Sequence, residues 1–281
     1  MNAIEIQGLE KHYAGFDLKL DLTLPQGCIL GLVGENGAGK TTTIKAILGM
    51  LRPDAGTIRV LGQDNGKSFV PVREDIGVVL DEPGFPACLT AVQLGKVLAG
   101  IYRNWDAAAY AGYLRQLAVP TDKKYQDFSR GMKMKLAIAA ALSHHPKLLV
   151  LDEPTSGLDP VVRDEVVGIF SEFTRDEEHA VLISSHIVSD LEKLCDYIAF
   201  LHKGRLLLCE EKDALREEYG LVQLAKADFA ALDPAAVVGS RATPYGVSAI
   251  VRREALPAGI SAEPVSLEDL FVVMVKGEEK A

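Results

Sequence analysis

The sequence predicts an α/β fold built on a parallel sheet, and three observations carry that expectation. Residues 28–33 (CILGLV) form an apolar run that ends in a glycine-rich stretch, 34–42 (GENGAGKTT), with a helix-like run after it. Residues 148–151 (LLVL), between Pro146 and Pro154, form a second apolar run that ends in two adjacent carboxylates, Asp152 and Glu153. Strand-like and helix-like segments then alternate to about residue 219. Apolar runs without polar alternation suit strands covered on both faces, as in parallel sheets. Ligands of such sheets bind at the carboxyl ends of the strands, which is where both motifs fall.

Taken in chain order, residues 1 to about 80 alternate short strands with the glycine-rich loop and its helix. The stretch 34–42 matches G-x-x-x-x-G-K-[ST] in the strand-before, helix-after context that makes such a match a phosphate loop. Gly34, Gly37 and Gly39 let the backbone turn tightly and, with Glu35, Asn36 and Ala38 between them, present N–H groups inward. The positive end of the following helix, read over 42–51, completes a nest for phosphate oxygens. Lys40 is placed to reach the β- and γ-phosphates, Thr42 stands at the loop's end, and the Thr41 hydroxyl suits Mg²⁺, a hard cation that prefers oxygen.

Residues from about 81 to 145 read as mostly helical. Leu94, Val97, Leu98 and Ile101 recur at helix spacing, and core packing is the expectation for them. A long helix is predicted from about Phe128 to Leu142. The Ser-x-Gly at its head, Ser129 to Gly131, supplies a hydroxyl and free backbone N–H groups and so reads as a second phosphate-binding head. One chain cannot easily close both heads on the same phosphate. Further on, the run 148–151 brings Asp152 to hold the same Mg²⁺ as Thr41, and Glu153 to polarise an attacking water. His186 follows the apolar strand VLISS.

Together these segments resemble the ATP-binding subunits of ABC transporters, over the span from Ile4 to about Tyr219. The motifs come in that family's order: GENGAGKTT at 34–42, FSRGM at 128–132, LLVLDEP at 148–154, SGLDP at 156–160 and ISSHIVSDLE at 183–192. The resemblance implies a P-loop NTPase (RecA-like) core with an ABC-type antiparallel β subdomain. It also implies a helical subdomain inserted at about 81–145 within a domain of residues 1–219, and a small C-terminal α+β extension at 220–281. It further implies that Ser129, Arg130, Gly131 and Met132 meet ATP bound to a partner subunit, that Glu153 is the general base, and that His186 senses the γ-phosphate. Asp159 would link the two sites, and Tyr13 would stack on adenine. Two residues depart from the family's pattern. Asp81 stands where a Gln is usual, as a further oxygen near Mg²⁺, and Arg130 replaces the first glycine of the signature.

A net charge of −9 over 281 residues argues against a nucleic-acid-coating surface. No apolar run approaches the ~20 residues that span a bilayer, and the N-terminus lacks the pattern of a signal peptide, so a cytoplasmic chain is expected. Cys28, Cys88, Cys195 and Cys209 form no C-x-x-C pair and read as reduced, mostly packed thiols. Beyond residue 219 the stretches 239–246 and 256–264 look turn-rich. A last helix is expected from Ser266 to about Val275, capped by Ser266 with Asp269 three positions on and packed through Leu267, Leu270, Phe271 and Met274. The terminal KGEEKA reads as a solvated end.

The expected function is therefore that of an ATP-binding and hydrolysing motor subunit with ATP and Mg²⁺ as its cofactors. It would act with a second ABC ATPase subunit, identical or paralogous, and drive a transmembrane permease subunit from the cytoplasmic face of the membrane. An S-L-E-D-[IL]-F ending like that at 266–271 occurs in the drug- and antibiotic-exporter branch, which favours export. The alternative is a non-transport ABC ATPase acting on ribosomes or DNA. The single phosphate loop and the short insert fit that alternative poorly.

Overall fold

The computed structural model of the protein describes residues 1–66, 69–257 and 259–278. The chain opens with an antiparallel hairpin, β1 (Asn2–Tyr13) and β2 (Phe16–Pro25), and returns through β3 (Ile29–Gly34) to α1 (Lys40–Ile47). β4 (Ala55–Val60), the two-residue β5 (Gln63–Asp64) and β6 (Ile76–Val79) precede three helices, α2 (Ala91–Ala99), α3 (Ala107–Gln116) and α4 (Arg130–Leu142). Alternation then resumes with β7 (Leu148–Asp152), α5 (Pro160–Phe173), β8 (Ala180–Ser185), α6 (Val188–Leu194), β9 (Tyr197–His202) and β10 (Arg205–Glu211). After α7 (Lys212–Glu218), a separate sheet forms from β11 (Tyr219–Leu224), β12 (Val237–Thr243) and β13 (Gly246–Arg252), with α8 (Lys226–Ala230) between its first two strands. α9 (Leu267–Glu278) ends the described chain.

The main sheet has ten strands in the order β5-β4-β1-β2-β10-β9-β3-β8-β7-β6. β9, β3, β8, β7 and β6 run parallel, while β1, β2, β4 and β5 form an antiparallel flank. Sequence explains the difference. Every residue of β3, β7 and β8 is buried, whereas β2 alternates buried Leu18, Leu20, Leu22 and Leu24 with exposed Lys19, Asp21 and Thr23. A strand covered on both faces needs no polar alternation; a half-covered one shows period two.

Two apolar cores result, one on each face of the parallel strands. Ile29, Val33, Leu149 and Leu151 face a core with α4, while Leu30, Leu32, Leu148 and Val150 face a core with α1 and the antiparallel flank. α4 is apolar nearly all round, with Met134 and residues 136–142 buried, because it lies beneath α2 and α3 and against the sheet. α2 crosses α3 closely at Gly95, where a Cβ would stand 2.5 Å from the Tyr110 ring. The Tyr110 hydroxyl donates to the Ala91 carbonyl at 2.9 Å.

Several expectations are corrected here. Leu94 and Leu98 are core, but Val97, and Ile101 just beyond the helix, are exposed, because α2 buries only the face that meets Tyr110 and Leu114. The helix after the phosphate loop begins at Lys40 and ends at Ile47, earlier at both ends than the reading 42–51. The stretch 239–246 is largely strand, with its turn confined to the residues between β12 and β13; cross-strand partners on β13 outweigh its turn-prone composition. Cys88 is exposed, whereas Cys195 is fully buried. In α9, Ser266 Oγ accepts from the Asp269 N–H at 3.1 Å, and Leu267, Leu270 and Phe271 are buried as expected. The helix continues to Glu278, so half of the KGEEKA tail is helical, and its last three residues lie outside the described ones.

Candidate functional site

The carboxyl ends of β3, β7 and β8 place their following loops side by side, because the three strands are parallel neighbours. A single concavity there is lined by Tyr13, Phe16, Glu35, Asn36, Gly37, Gly39, Lys40, Thr41, Thr42, Asp81 and Glu153. Residues from both sequence motifs thus share one wall.

The phosphate loop has the backbone its glycines allow. Gly37 and Gly39 have φ of 82° and 113°, a region that costs a residue with a Cβ of order 1 kcal/mol or more. At Gly39 space is closed as well, since a Cβ would meet Leu18 at 2.8 Å and Phe16 at 3.1 Å. Lys40 is buried and donates to the Gly34 carbonyl at 2.6 Å and the Glu35 carbonyl at 3.3 Å; its Nζ stands 3.4 Å from Glu153 Oε1. The ammonium therefore folds across the mouth of its own loop.

Asp152 and Thr41 fit the Mg²⁺ expectation. Thr41 Oγ1 donates to Asp152 Oδ2 at 2.8 Å, placing a hydroxyl and a carboxylate side by side at the head of α1. Among the described residues no group of three His, Cys, Asp or Glu side chains gathers as a cage. Two hard oxygens side by side suit Mg²⁺, which keeps waters and takes its other ligands from substrate phosphates.

Glu153 sits at φ 53°, in the left-handed region that a residue with a side chain rarely adopts. That backbone turn is held by its N–H donating to the Ser184 carbonyl at 3.1 Å and to Ser184 Oγ at 3.2 Å. It aims the carboxylate into the concavity, where Oε2 is 2.7 Å from His186 Nδ1 and accepts from the His186 backbone N–H at 3.4 Å. Such a backbone persists only where the surrounding structure holds it, here through the two hydrogen bonds to Ser184.

The remaining predicted residues fall as follows. Tyr13 is half-exposed at the rim, its ring centroid 6.3 Å from that of Phe16. Ser129 caps α4, its Oγ accepting from the Met132 N–H at 3.3 Å, and Arg130 and Gly131 open that helix. Asp159 caps α5 by accepting from the Val162 N–H at 3.1 Å. Asp81 lines the concavity and accepts from Arg130, while Thr41 and Asp152 pair with each other.

Sequence reasoning missed Ser184 and Phe16. Ser184 Oγ donates to Asp152 Oδ1 at 2.6 Å and is fully buried. Phe16 lies directly across the β1–β2 hairpin from Tyr13. The two-residue Ala14-Gly15 turn was the available signal for that pairing.

Fold and site together define a phosphate-loop nucleotide-binding protein in which a carboxylate and a histidine meet beside the loop. Residues 18–156 match the ABC transporter family. The bacitracin transport ATP-binding protein BcrA of Enterococcus faecalis is 35% identical over 208 residues, covering 73% of this chain and 68% of that protein. The ABC transporter ATP-binding protein YtrB of Bacillus subtilis (strain 168) is 30% identical over 291 residues, 99% of each. A solved ATP-binding subunit of an ABC transporter superposes with a TM-score of 0.70 at 28% identity, covering 76% of this chain and 92% of that one. The chain belongs to the ABC transporter family and is one of its ATP-binding subunits. Among the described residues no helix is long and apolar enough to cross a membrane.

Proposed function

We propose that the chain hydrolyses Mg-ATP to drive export through a separate transmembrane permease subunit, working from the cytoplasmic face as one of two ATPase subunits, identical or paralogous. In this reading residues 1–219 are the ATPase domain, the insert at about 81–145 touches the permease, and 220–281 is an extension. The observation that carries it is Glu153, turned into the concavity by a left-handed backbone and hydrogen-bonded to His186 at 2.7 Å beside Lys40.

Lys40 exchanges the Gly34 and Glu35 carbonyls for the β- and γ-phosphates, and the loop N–H groups from Gly34 to Thr42 hold their oxygens. Thr41 and Asp152 would hold Mg²⁺, which when bound neutralises charge on the phosphates. Glu153 takes a proton from water as the water oxygen bonds to the γ-phosphorus. The bond from that phosphorus to the β–γ bridging oxygen breaks, releasing ADP and phosphate. His186 orients Glu153 and the γ-phosphate, and Tyr13 stacks on the base. Ser129, Arg130, Gly131 and Met132 at the head of α4 close on the nucleotide of the second subunit, with Asp159 between the sites. Antibiotics are the cargo class this reading favours, because a relative carries bacitracin transport in its name.

The test uses a tagged Glu153→Gln variant added with Mg-ATP to detergent-solubilised membranes of the source organism. A dimer that retains ATP and carries a polytopic membrane protein, identified by mass spectrometry, is expected. A monomer in saturating Mg-ATP, or recovery of ribosomal or DNA-bound proteins in place of a membrane protein, would overturn the reading.

A further inference from the structure

The two residues that depart from the family's pattern meet each other in this fold. Asp81 follows β6 and Arg130 opens α4, 49 positions later, yet Arg130 Nη2 donates to Asp81 Oδ1. The same nitrogen donates to Ser156 Oγ at 3.2 Å, and the Arg130 stem lies over Gly157, where a Cβ would stand 3.4 Å from Arg130 Cδ. One guanidinium thus ties together three segments of a single chain: the loop after β6, the head of α4 and the turn between β7 and α5.

The pair is poorly placed to serve stability. Asp81 and Arg130 side chains are 44% and 57% exposed, and ion pairs so open to water contribute little to folding. Its position matters more for a ligand. Asp81 lines the concavity that also contains Glu35, Glu153 and, through Thr41, the neighbouring Asp152, against the single ammonium of Lys40. An unpaired carboxylate at that wall would repel incoming phosphates, and a guanidinium bound to it cancels that charge.

We propose that Arg130 is a positioning residue for the phosphate site of its own chain, holding Asp81 in place and neutralising it so that the triphosphate is accepted. This rests on the ATP-binding reading above and is separate from any contact that Arg130 makes with a second subunit's nucleotide. The two departures are then one substitution in two parts: the carboxylate is tolerated because the arginine is there.

The test is calorimetric binding of Mg-ATP to the full chain and to three variants: Arg130→Met, which keeps the stem without the charge, Asp81→Asn, and the two combined. Arg130→Met is expected to weaken binding about tenfold, within the usual coupling of side chains in direct contact. Asp81→Asn alone should bind at least as tightly as the unsubstituted chain. The double variant should return to within about twofold of it. The loss in Arg130→Met should shrink at about 1 M salt, where charges a few ångströms apart are screened. Arg130→Lys, which keeps the charge, should recover part of the loss seen in Arg130→Met, and Arg130→Gln replaces Arg130→Met if the latter does not fold. A double variant as weak as Arg130→Met would mean that Arg130 acts as packing alone and would overturn the proposal, as would normal binding by Arg130→Met. Absence of binding by the unsubstituted chain would overturn the nucleotide reading and this proposal with it.

Discussion

Asp152 has both carboxylate oxygens engaged, Oδ2 by Thr41 and Oδ1 by Ser184, and it is almost completely buried. As the Mg²⁺ ligand proposed above, a carboxylate held that way would present one oxygen in one direction, and groups that orient a metal ligand commonly carry ten- to hundredfold effects on metal affinity or activity. Ser184→Ala is therefore expected to raise the Mg²⁺ concentration for half-maximal ATPase activity by about tenfold or more. Nucleotide binding without Mg²⁺ should stay unchanged. A titration of activity against Mg²⁺ at fixed ATP checks this, and an unaltered Mg²⁺ requirement would remove Ser184 from the site. Lys40, Thr41, Asp152 and Glu153 were legible in the sequence because each stands in a contiguous motif whose local backbone places it. Ser184 was not. Nothing within AVLISS says which serine faces the carboxylate until the parallel register sets Asp152 opposite Ser184. The meeting of Asp81 with Arg130 was hidden for the same reason, since it depends on how α4 lies against β6.

At the level of elements, strands buried on both faces announced themselves through unbroken apolar runs, whereas one-sided helices did not. The helix spacing of Leu94, Val97, Leu98 and Ile101 predicts core throughout, yet of these only Leu94 and Leu98 are buried, because spacing cannot say how wide the covering surface is. The turn after α4 holds a clearer consequence. His144 is buried, stacked on Tyr102 with centroids 4.1 Å apart, and its Nδ1 lies 2.9 Å from the Glu74 carbonyl. A carbonyl only accepts, so Nδ1 carries the proton, and Nε2 is buried without a partner among the described residues. Burial pushes the His144 pKa below its ordinary value of 6.5, because a charged ring there would lose its water. The unfolded chain then takes up a proton that the folded one resists, so this contribution is present above about pH 6.5 and is lost as pH falls below it. Urea midpoints should drop between about pH 7.5 and about pH 5.5, the interval bracketing an ordinary histidine. His144→Phe, which retains the ring stack, should show a shallower fall than the unsubstituted chain. Equal slopes would mean that His144 does not carry the pH dependence.

Across the whole molecule, one apolar cluster runs from the helical insert through the parallel sheet to the last helix. Leu94, Tyr110 and Leu114 belong to it at one end, Phe200 in the middle, and Leu267, Leu270 and Phe271 at the other. The far contact is specific, since the Phe271 ring meets Phe200 of β9 edge-on at 5.1 Å. A cluster with no break should unfold as one unit, so damage at α9 should be felt in the insert. Removing a buried Phe ring costs about 3–5 kcal/mol, a large part of the roughly 5–15 kcal/mol that holds a typical protein folded. Trp105, the chain's one tryptophan, reports on the opposite end, with its ring 5.0 Å from that of Tyr110 in the insert. Phe271→Ala should therefore lower the urea midpoint followed by Trp105 fluorescence, in step with the loss of helix by circular dichroism. If the tryptophan midpoint holds while part of the helical signal melts early, the C-terminal sheet and α9 fold as their own unit, and the insert answers to the nucleotide site without them.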